Sequence, residues 1–326
     1  MKETKPEADP KTPRITEAAE RFAKNVGRVI VGKEEAIQSV FIGLLCGGHL
    51  LIEDVPGVGK TLLAKAAARS LGCTFKRIQC TPDLLPADVT GLHFFNQKNS
   101  EFEFRPGPIL ANLVLVDEIN RAMPRTQSCL LECMQEQQVT VDWHTFSLPR
   151  PFLILATQNP IELEGTFPLP EAQLDRFLIR VRLGYPSADE EETILSRFQE
   201  ANPLESLPTV LETEELLDLQ RLSHQVYVEP SVRGYITALT RATRNHADIR
   251  LGASPRSSLG LHSAAQALAA IQGRSYVIPD DVKSLSIPVL AHRLLIKAEA
   301  RMRGKTEEDV LREILECLPV PLEETL

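Results

Sequence analysis

The segment with the clearest chemistry in this sequence is a glycine-rich turn that ends in a lysine and a threonine. It runs from Asp54 to Thr61 and follows a short apolar stretch. The backbone N–H groups of such a turn converge on an anion, and the start of the helix behind it favours negative charge. We therefore expect Lys60 to reach the terminal phosphates of a nucleotide and the Thr61 hydroxyl to bind Mg²⁺.

One position departs from the usual pattern of a phosphate-binding loop, G-x-x-x-x-G-K-[ST]. Asp54 stands where this pattern has its first glycine. Gly57 and Gly59 still allow a tight turn, because glycine adopts positive φ without a steric penalty. The alternative is a helix that happens to begin with Gly-Lys-Thr after an ordinary loop. The apolar strand before the turn and the alanine-rich helix after it favour the phosphate-binding loop.

Two adjacent carboxylates follow a second apolar stretch, residues 113–116. They would emerge at the carboxyl end of a strand, the edge at which open parallel sheets bind ligands. We expect Asp117 to hold Mg²⁺ through its water shell, because Mg²⁺ takes few protein carboxylates directly. Glu118 is suited to polarise an attacking water. Strands often end in solvated acids, so this interpretation depends on the glycine-rich turn upstream.

Three further polar residues have open interpretations from their positions alone. Asn159 ends the next predicted strand, where its amide either contacts a water or a phosphate or caps the turn that follows. Arg176, just before the last strand, is on its own typical of a surface arginine. Arg256 follows a Ser-Pro pair that predicts a helix start. The helix dipole opposes a cation there by about 0.3–1 kcal/mol, and an anion that bridges both arginines would reverse that sign.

The elements that must position these residues alternate between short apolar strands and helical stretches, which predicts a parallel α/β sheet. Several strands are almost entirely apolar, as strands covered on both faces are. Beyond residue 184 nearly every segment is predicted to be helical, and Ser187 with Glu190 predicts the first cap. The predicted strands are Leu50–Glu53, Phe75–Gln79, Leu113–Asp117, residues 152–157 and residues 177–182. The later helices are predicted to begin near Ser187, Thr213, Pro230, Pro255, Pro279 and Thr306.

This pattern divides the chain into three predicted parts. Residues 1–14 are polar and contain three prolines, so they are predicted to be a disordered tail without a secretory signal. Residues 15–184 are predicted to form an α/β nucleotide-binding core. Residues 185–326 are predicted to form an all-α domain after a short hinge-like linker.

Composition narrows the class of protein. With 43% hydrophobic and 25% charged residues, the 326-residue chain is typical of a globular protein. Its net charge of −8 gives no general attraction to nucleic acid or to an anionic membrane, and no uncharged run is long enough for a membrane span. Six cysteines without regular spacing suit a reducing cytoplasm. Cys129 and Cys133 lie four apart on a predicted helix, which favours core packing over a metal site.

Taken together, the motifs resemble those of the AAA+ ATPases, and specifically of the MoxR family. The resemblance covers nearly the whole chain after the tail, and it implies an α/β AAA+ P-loop core with a five-stranded parallel sheet, β-hairpin inserts and an all-α lid domain. Asp54 in place of glycine resembles a variant that this family uses. The motifs are VGKEE (31–35), DVPGVGKT (54–61), TPDLLPADVTG (81–91), FRPGP (104–108), DEINR (117–121), ATQNP (156–160), PEAQLDRF (170–177) and GASPR (252–256).

The resemblance assigns roles that spacing alone leaves open. Val31 and Gly32 would line the adenine pocket, and Asn159 would be the sensor-1 residue. Arg176 resembles the arginine finger that reaches the γ-phosphate of a neighbouring subunit, and Arg256 resembles the sensor-2 arginine of the lid. A finger that acts in trans implies an oligomer, and the family forms hexameric rings. The implied catalytic residues are Glu118, Asn159, Arg176 and Arg256. The implied ATP-binding residues are Val31, Gly32, Val55, Pro56, Gly57, Val58, Gly59, Lys60, Thr61, Leu62 and Asp117, of which Thr61 and Asp117 would also bind Mg²⁺.

Two segments, residues 91–105 and residues 138–149, resemble the extra β-hairpins of the family. In related rings such hairpins face the pore or the axial surface, where a substrate is gripped. The second segment carries Trp143, the single tryptophan of the chain. Its side chain either contacts a substrate or packs locally within the hairpin.

The resemblance implies a cytoplasmic, Mg²⁺-dependent ATPase that remodels, assembles or activates client proteins, including proteins with von Willebrand factor A domains. The alternatives are a nucleic-acid translocase, a magnesium-chelatase-like motor subunit and a nucleotide switch that does not hydrolyse. The acidic charge, without a basic stripe that includes aromatic residues, weighs against the translocase. The complete set of Glu118, Asn159 and Arg176 weighs against the switch.

Overall fold

The structure is a computed structural model and describes residues 12–159, 165–200 and 202–321. The strands are β1 (Leu50–Glu53), β2 (Phe75–Gln79), β3 (Gly91–Asn96), β4 (Glu101–Pro106), β5 (Leu113–Asp117), β6 (Gln138–Val141), β7 (His144–Ser147), β8 (Leu153–Gln158), β9 (Ile179–Val181), β10 (Ile249–Leu251) and β11 (Leu295–Ile296). The helices are α1 (Thr12–Val26), α2 (Glu34–Cys46), α3 (Lys60–Ser70), α4 (Pro86–Thr90), α5 (Pro124–Glu136), α6 (Glu171–Leu174), α7 (Ala188–Glu200), α8 (Thr213–Ser223), α9 (Pro230–Asn245), α10 (Pro255–Ile271), α11 (Pro279–Leu290), α12 (Ala298–Met302) and α13 (Glu307–Cys317).

Five strands form one parallel sheet in the order β2-β5-β8-β1-β9, which confirms the predicted fold class. The inner strands β5 and β8 are apolar and buried almost throughout, because helices cover both faces of a parallel sheet. Two predicted strands have different bounds. The one predicted at 152–157 lies one residue later, and the one predicted at 177–182 is shorter, because β9 pairs with β1 over three residues at the sheet edge.

Six of the described helices in the second half begin within one residue of their predicted starts, whereas the short helix α12 was not predicted. The hydroxyls of Ser254 and Thr306 accept backbone hydrogen bonds that cap α10 and α13. The all-α prediction is wrong in one detail, since β10 pairs with β11 in a small antiparallel sheet. That pairing joins the segment after α9 to the segment after α11. Among the described residues, no helix is both long and apolar enough to cross a membrane.

Helix α1 shows that the predicted disordered tail extends too far, because the helix already begins at Thr12. Ile15, Ala18, Phe22 and Val26 are buried, and their spacing places them on one face of the helix. This face belongs to a hydrophobic cluster with residues of α2, α3, α8 and α10, so the cluster includes both predicted halves. Residues 1–11 lie outside the described part of the chain, and the domain boundary at residue 184 stays a prediction.

Both predicted hairpins are present, as β3–β4 and β6–β7. They contact each other through Phe104 and Phe146, whose rings stack with centroids 4.2 Å apart. Trp143 lies in the turn of the second hairpin with its side chain 88% exposed. Packing within the hairpin therefore does not account for this tryptophan.

Candidate functional site

The glycine-rich segment forms an open loop between β1 and α3. Gly57 and Gly59 have φ values of 86° and 96°, a left-handed region that favours glycine. A Cβ atom added at either position would have no heavy atom within 4 Å, so space for a ligand adjoins the loop. The loop leads into the N-terminus of α3, and helix N-termini attract anions. The residues of this loop fit a polyphosphate chain.

Lys60 and Thr61 open helix α3 beside this loop. The Lys60 Nζ donates a hydrogen bond to the backbone carbonyl of Asp54 at 2.8 Å, which folds the lysine side chain back along the loop. A phosphate bound in the loop would therefore lie near the Lys60 ammonium group. Thr61, the next residue, is half-buried in the same helical turn.

Asp54, the residue that departs from the usual pattern, has a structural role. Its carboxylate is 9% exposed and accepts a hydrogen bond from the Val55 N–H at 2.9 Å. It also accepts hydrogen bonds from the Leu183 N–H at 2.6 Å and the Gly184 N–H at 2.7 Å. A glycine could make none of these side-chain bonds. Asp54 thus joins the start of the loop to the chain that leaves β9, a role that the sequence analysis did not identify.

Asp117 ends β5 at the same edge of the sheet and is 8% exposed. Its Oδ1 accepts a hydrogen bond from the Thr157 hydroxyl at 2.6 Å. Its Oδ2 accepts two hydrogen bonds from the Arg77 guanidinium, at 2.5 and 3.1 Å. Arg77 lies on β2, whose register places Gln79 opposite Asp117. The sequence analysis missed Arg77, because only the pairing of β2 with β5 places it beside the acid.

Glu118 lies just beyond the strand with φ of 58°, a strained conformation for a residue that is not glycine. Its backbone N–H donates to the Thr157 hydroxyl at 2.8 Å, so one threonine contacts both adjacent acids. Its carboxylate accepts hydrogen bonds from the Arg121 guanidinium at 3.2 Å and from the Gln79 amide at 3.3 Å. The backbone and these donors together fix where the carboxylate lies.

Asn159 follows β8 and is 5% exposed. Strands β1 and β8 are neighbours with Glu53 opposite Gln158, and the Asp54 N–H donates to the Gln158 carbonyl at 3.3 Å. Asn159 therefore lies beside the start of the glycine-rich loop, as predicted from the strand order. The turn that it would otherwise cap contains residues 160–164, which lie outside the described residues, so both interpretations of Asn159 stay open.

A cavity of about 330 Å³ lies beside the loop, with mostly apolar walls that fit a flat ring such as adenine. Val31, which was predicted to contact adenine, lines it. The sequence analysis missed Ile194 and Phe198, although their spacing of four residues on α7 indicates a shared helix face. The other lining residues are Val29, Ile30, Lys33, Gly57, Val58, Gly59, Leu62 and Pro186.

Gly32 lies where α7 begins beside this cavity. It has φ of 65°, and a Cβ atom there would be 1.7 Å from the Glu190 carboxylate. Lys33 donates hydrogen bonds to the Tyr185 carbonyl at 3.1 Å and to Glu190 at 3.4 Å. A hydrogen bond from the Ser187 N–H lowers the pKa of Glu190. Gly32 thus permits close approach of the α7 start, while its contact with adenine stays a prediction.

The two predicted arginines lie just after α6 and at the start of α10. The Arg176 guanidinium donates hydrogen bonds to the Leu131 carbonyl at 3.2 Å and to the Gln135 side chain, both on α5. Arg256 is exposed in the first turn of α10. The structure thus places Asp117, Glu118 and Asn159 at the edge of the sheet where the glycine-rich loop begins. The roles of Arg176 and Arg256 stay predictions.

Comparison with family models agrees with this geometry. Residues 49–179 match the model described as the ATPase family associated with various cellular activities (AAA), a range that contains β1, β2, β5 and β8 of the five-stranded sheet and ends at the first residue of β9. Residues 241–314 match an AAA lid domain, a range that contains α10 and α11.

Relatives of this chain extend the similarity over nearly its whole length. The uncharacterized protein YeaC of Bacillus subtilis is 50% identical over 303 residues, which are 93% of this chain and 95% of YeaC. Chaperone MoxR1 of Mycobacterium tuberculosis is 43% identical over 311 residues, which are 93% of this chain and 82% of MoxR1. A crystal structure of a candidate ATPase from Cytophaga hutchinsonii matches with a TM-score of 0.90 at 36% identity, covering 96% of this chain and 97% of the other. The chain belongs to the MoxR family of AAA+ ATPases.

Proposed function

We propose that this protein hydrolyses ATP with Mg²⁺ and uses the reaction to remodel, assemble or activate client proteins. The observation that carries this proposal is the position of Asp117 and Glu118 at the sheet edge where the glycine-rich loop begins. Membership of an ATPase family supports hydrolysis, and the name of the relative chaperone MoxR1 supports work on proteins.

In this proposal the loop binds the phosphates through its backbone N–H groups. Lys60 exchanges the Asp54 carbonyl for the terminal phosphates, and the neighbouring cavity binds adenine. Thr61 and Asp117 would hold Mg²⁺, which would supply positive charge to neutralise the phosphates. Because Arg77 binds one oxygen of Asp117, that carboxylate would serve both the guanidinium and the metal or its water shell.

Glu118 is the proposed group that polarises the attacking water. Both of its side-chain hydrogen bonds, from Gln79 and Arg121, are accepted by Oε2, so Oε1 is the oxygen that would bind the water. Asn159 would orient that water or the γ-phosphate from the end of the adjacent strand.

The proposed assembly is a homo-oligomer, a hexameric ring in which Arg176 acts on ATP held by a neighbouring subunit. The contacts of Arg176 support this role, because its guanidinium binds α5 and not α3, the helix that follows the phosphate loop of its own subunit. Exposed aromatic side chains on the hairpins suit contact with a client protein, and clients with von Willebrand factor A domains are proposed. These side chains are Phe94, Phe95, Phe102 and Trp143. The free cysteines suit a cytoplasmic location.

Two variants test the proposed chemistry. Lys60→Ala should lose most ATP affinity, measured with a fluorescent nucleotide. Glu118→Gln should still bind ATP, while phosphate release falls by about 10²–10⁴-fold. Glu132→Gln, an exposed carboxylate on α5, is the matched control and should retain full turnover. Full turnover in Glu118→Gln would exclude Glu118 as the group that polarises water.

The Glu118→Gln variant also tests the class of partner. With ATP bound it should stay in a closed state and retain a client protein during affinity capture. Recovery of nucleic acid, or ATP turnover that DNA stimulates with a steep dependence on salt, would favour a translocase instead.

A further inference from the structure

The segment that carries Arg176 is bound by the lid, the part of the chain that matches the AAA lid model. Asp175, the residue before it, accepts hydrogen bonds from the Ser254 hydroxyl at 2.9 and 3.0 Å and from the Ser257 hydroxyl at 3.3 Å. Ser254 is the N-cap of α10, and Ser257 lies in its first turn. The Asp175 carboxylate is therefore bound to the helical turn that carries Arg256.

The residue after Arg176 is also bound by the lid. The Phe177 carbonyl accepts hydrogen bonds from the Arg293 guanidinium at 2.7 Å and from the His292 Nε2 at 2.9 Å. His292 and Arg293 follow α11 and are 7% and 5% exposed. Arg293 also lies 3.5 Å from the Asp175 carboxylate. Lid groups thus contact the chain immediately before and immediately after Arg176.

The burial of Arg293 indicates that its contacts with the arginine segment are a fixed part of the fold and not a loose surface contact. Burying a guanidinium is unfavourable unless other groups compensate, and burial lowers the pKa of Arg293 to about 10. Gly260 provides the space, because a Cβ atom there would lie 3.1 Å from Leu178 and 3.4 Å from the Arg293 guanidinium. An arginine in so tight a place fixes the backbone that it contacts.

The side chain of Arg176 takes a different direction and contacts α5. We propose that Asp175 and Arg293 are positioning residues that clamp the backbone on both sides of Arg176, so that the position of the lid sets how this arginine is presented to the neighbouring subunit. This inference rests on the proposed function, in which Arg176 acts on ATP in that neighbour.

The clamp links the two arginines within one subunit. Arg256 lies between Ser254 and Ser257, both of which bind Asp175, and Asp175 precedes Arg176. A lid that shifts when its own subunit binds ATP therefore moves the arginine that serves the next site. A misplacement of about 1 Å can change a rate by about 10²-fold, so a small shift is enough.

Mixed assemblies of two variants distinguish the subunit that donates Arg176 from the subunit that receives it. The donor carries Glu118→Gln, which keeps its arginine and does not turn over ATP. The receiver carries Arg176→Ala, which keeps its own ATP site. Mixing them should restore turnover that neither variant has alone. Adding Asp175→Asn to the donor should then lower the restored turnover by at least about tenfold.

The same substitution in the receiver is the decisive comparison. Asp175→Asn combined with Arg176→Ala should leave the restored turnover within about twofold, because the receiver's arginine segment is not used. An equal loss from the receiver, or full restoration with the donor variant, would overturn the clamp. If the parent pair restores no turnover, the trans role of Arg176 fails first and the clamp fails with it.

Two further variants separate the clamp from general damage to the lid. Ser254→Gly removes the hydroxyl that binds Asp175, and glycine is well tolerated at a helix N-cap, so this variant should act like Asp175→Asn in the donor. Asp248→Asn is the matched control, since Asp248 pairs with Arg303 at 2.6 Å and Lys305 at 2.9 Å within the lid. Sedimentation and thermal melting establish that each variant folds and assembles. A loss from Asp248→Asn as large as that from Asp175→Asn would overturn the proposal.

Discussion

Asp54 and Asp175 each join two segments that are distant in sequence, but they use different kinds of partner. Asp54 accepts three hydrogen bonds from backbone N–H groups. Asp175 accepts hydrogen bonds from two serine hydroxyls and lies near the Arg293 guanidinium. Backbone donors have directions that the fold fixes, whereas serine hydroxyls can change rotamer.

The difference indicates how rigid each junction is. The start of the glycine-rich loop is fixed to the chain that leaves β9, so we expect the loop to keep its shape without a nucleotide. The junction at Asp175 binds the arginine segment to the lid through side chains, so we expect this segment to move with the lid. A fixed phosphate loop beside an arginine segment that moves with the lid suits the proposed site shared between subunits.

The largest expected effect comes from Asp54→Gly, which restores the usual glycine of a phosphate-binding loop. The substitution leaves the buried Leu183 N–H without its carboxylate acceptor, at about 1–3 kcal/mol, whereas Gly184 is exposed and its N–H can bond to water. Since glycine also adds about 1 kcal/mol of conformational freedom to the unfolded chain, we expect the free energy of unfolding to fall by about 3 kcal/mol and ATP affinity to fall with it. Urea unfolding and fluorescent-nucleotide titration measure the two effects.

Asp175→Ala is the comparison for this variant. Its side chain is 20% exposed, the serine hydroxyls can rotate to other acceptors, and Arg293 keeps its hydrogen bond to the Phe177 carbonyl. We therefore expect a loss of about 1–2 kcal/mol and little change in ATP affinity. If the two substitutions destabilise the protein equally, the proposed difference in rigidity is wrong. If Asp54→Gly binds ATP normally, the carboxylate does not shape the loop.

The contrast between these aspartates also shows what the sequence could predict. Strands β1, β5 and β8 were located because buried strands of a parallel sheet are short apolar runs. The phosphate loop and the acids after β5 were recognisable because their partners lie within a few residues or at the same sheet edge. Helix starts were equally local, since capping residues lie within one turn of the helix.

The partners of Asp54 could not be predicted, because Leu183 and Gly184 are 129 and 130 residues away in sequence. Arg77 was missed for a similar reason, since its pairing with Asp117 depends on the register of two strands 40 residues apart. Local patterns predict elements and chemistry. Contacts between distant segments depend on how those elements pack.

A change of pH extends the comparison, because each region contains a buried histidine. His49 in the sheet region donates to the Met134 carbonyl through Nε2 and accepts from the Ile154 N–H through Nδ1. Burial lowers the pKa of His49 from 6.5 to about 4 and that of His292 well below 6.5. The unfolded chain therefore binds more protons as pH falls below 6.5, and stability from both histidines is lost.

For His49 the loss between pH 6.5 and pH 5 is about 2 kcal/mol, because one pKa unit corresponds to about 1.4 kcal/mol. Urea unfolding of wild type and His49→Gln over this range measures it. We expect the glutamine variant to be less stable at pH 7 but to have a shallower pH dependence. An unchanged slope would show that His49 does not titrate on unfolding, and the same test on His292→Gln reports on the clamp region.

The smallest expected effects on stability come from Gly32→Ala, beside the cavity, and from its comparison Gly57→Ala. The added Cβ would meet the Glu190 carboxylate, and the backbone has a positive φ, so we expect a stability loss of about 1–2 kcal/mol. Gly57→Ala shares the positive φ but has no heavy atom within 4 Å of its Cβ, so it should lose only about 1 kcal/mol.

The two variants also differ in which ligand contact they disturb. Gly32→Ala should displace the start of α7 from the cavity, where Ile194 and Phe198 would contact adenine, and should therefore weaken ATP more than inorganic triphosphate in competition titrations. Equal weakening of both ligands would mean that the contact between Gly32 and Glu190 does not shape the adenine cavity.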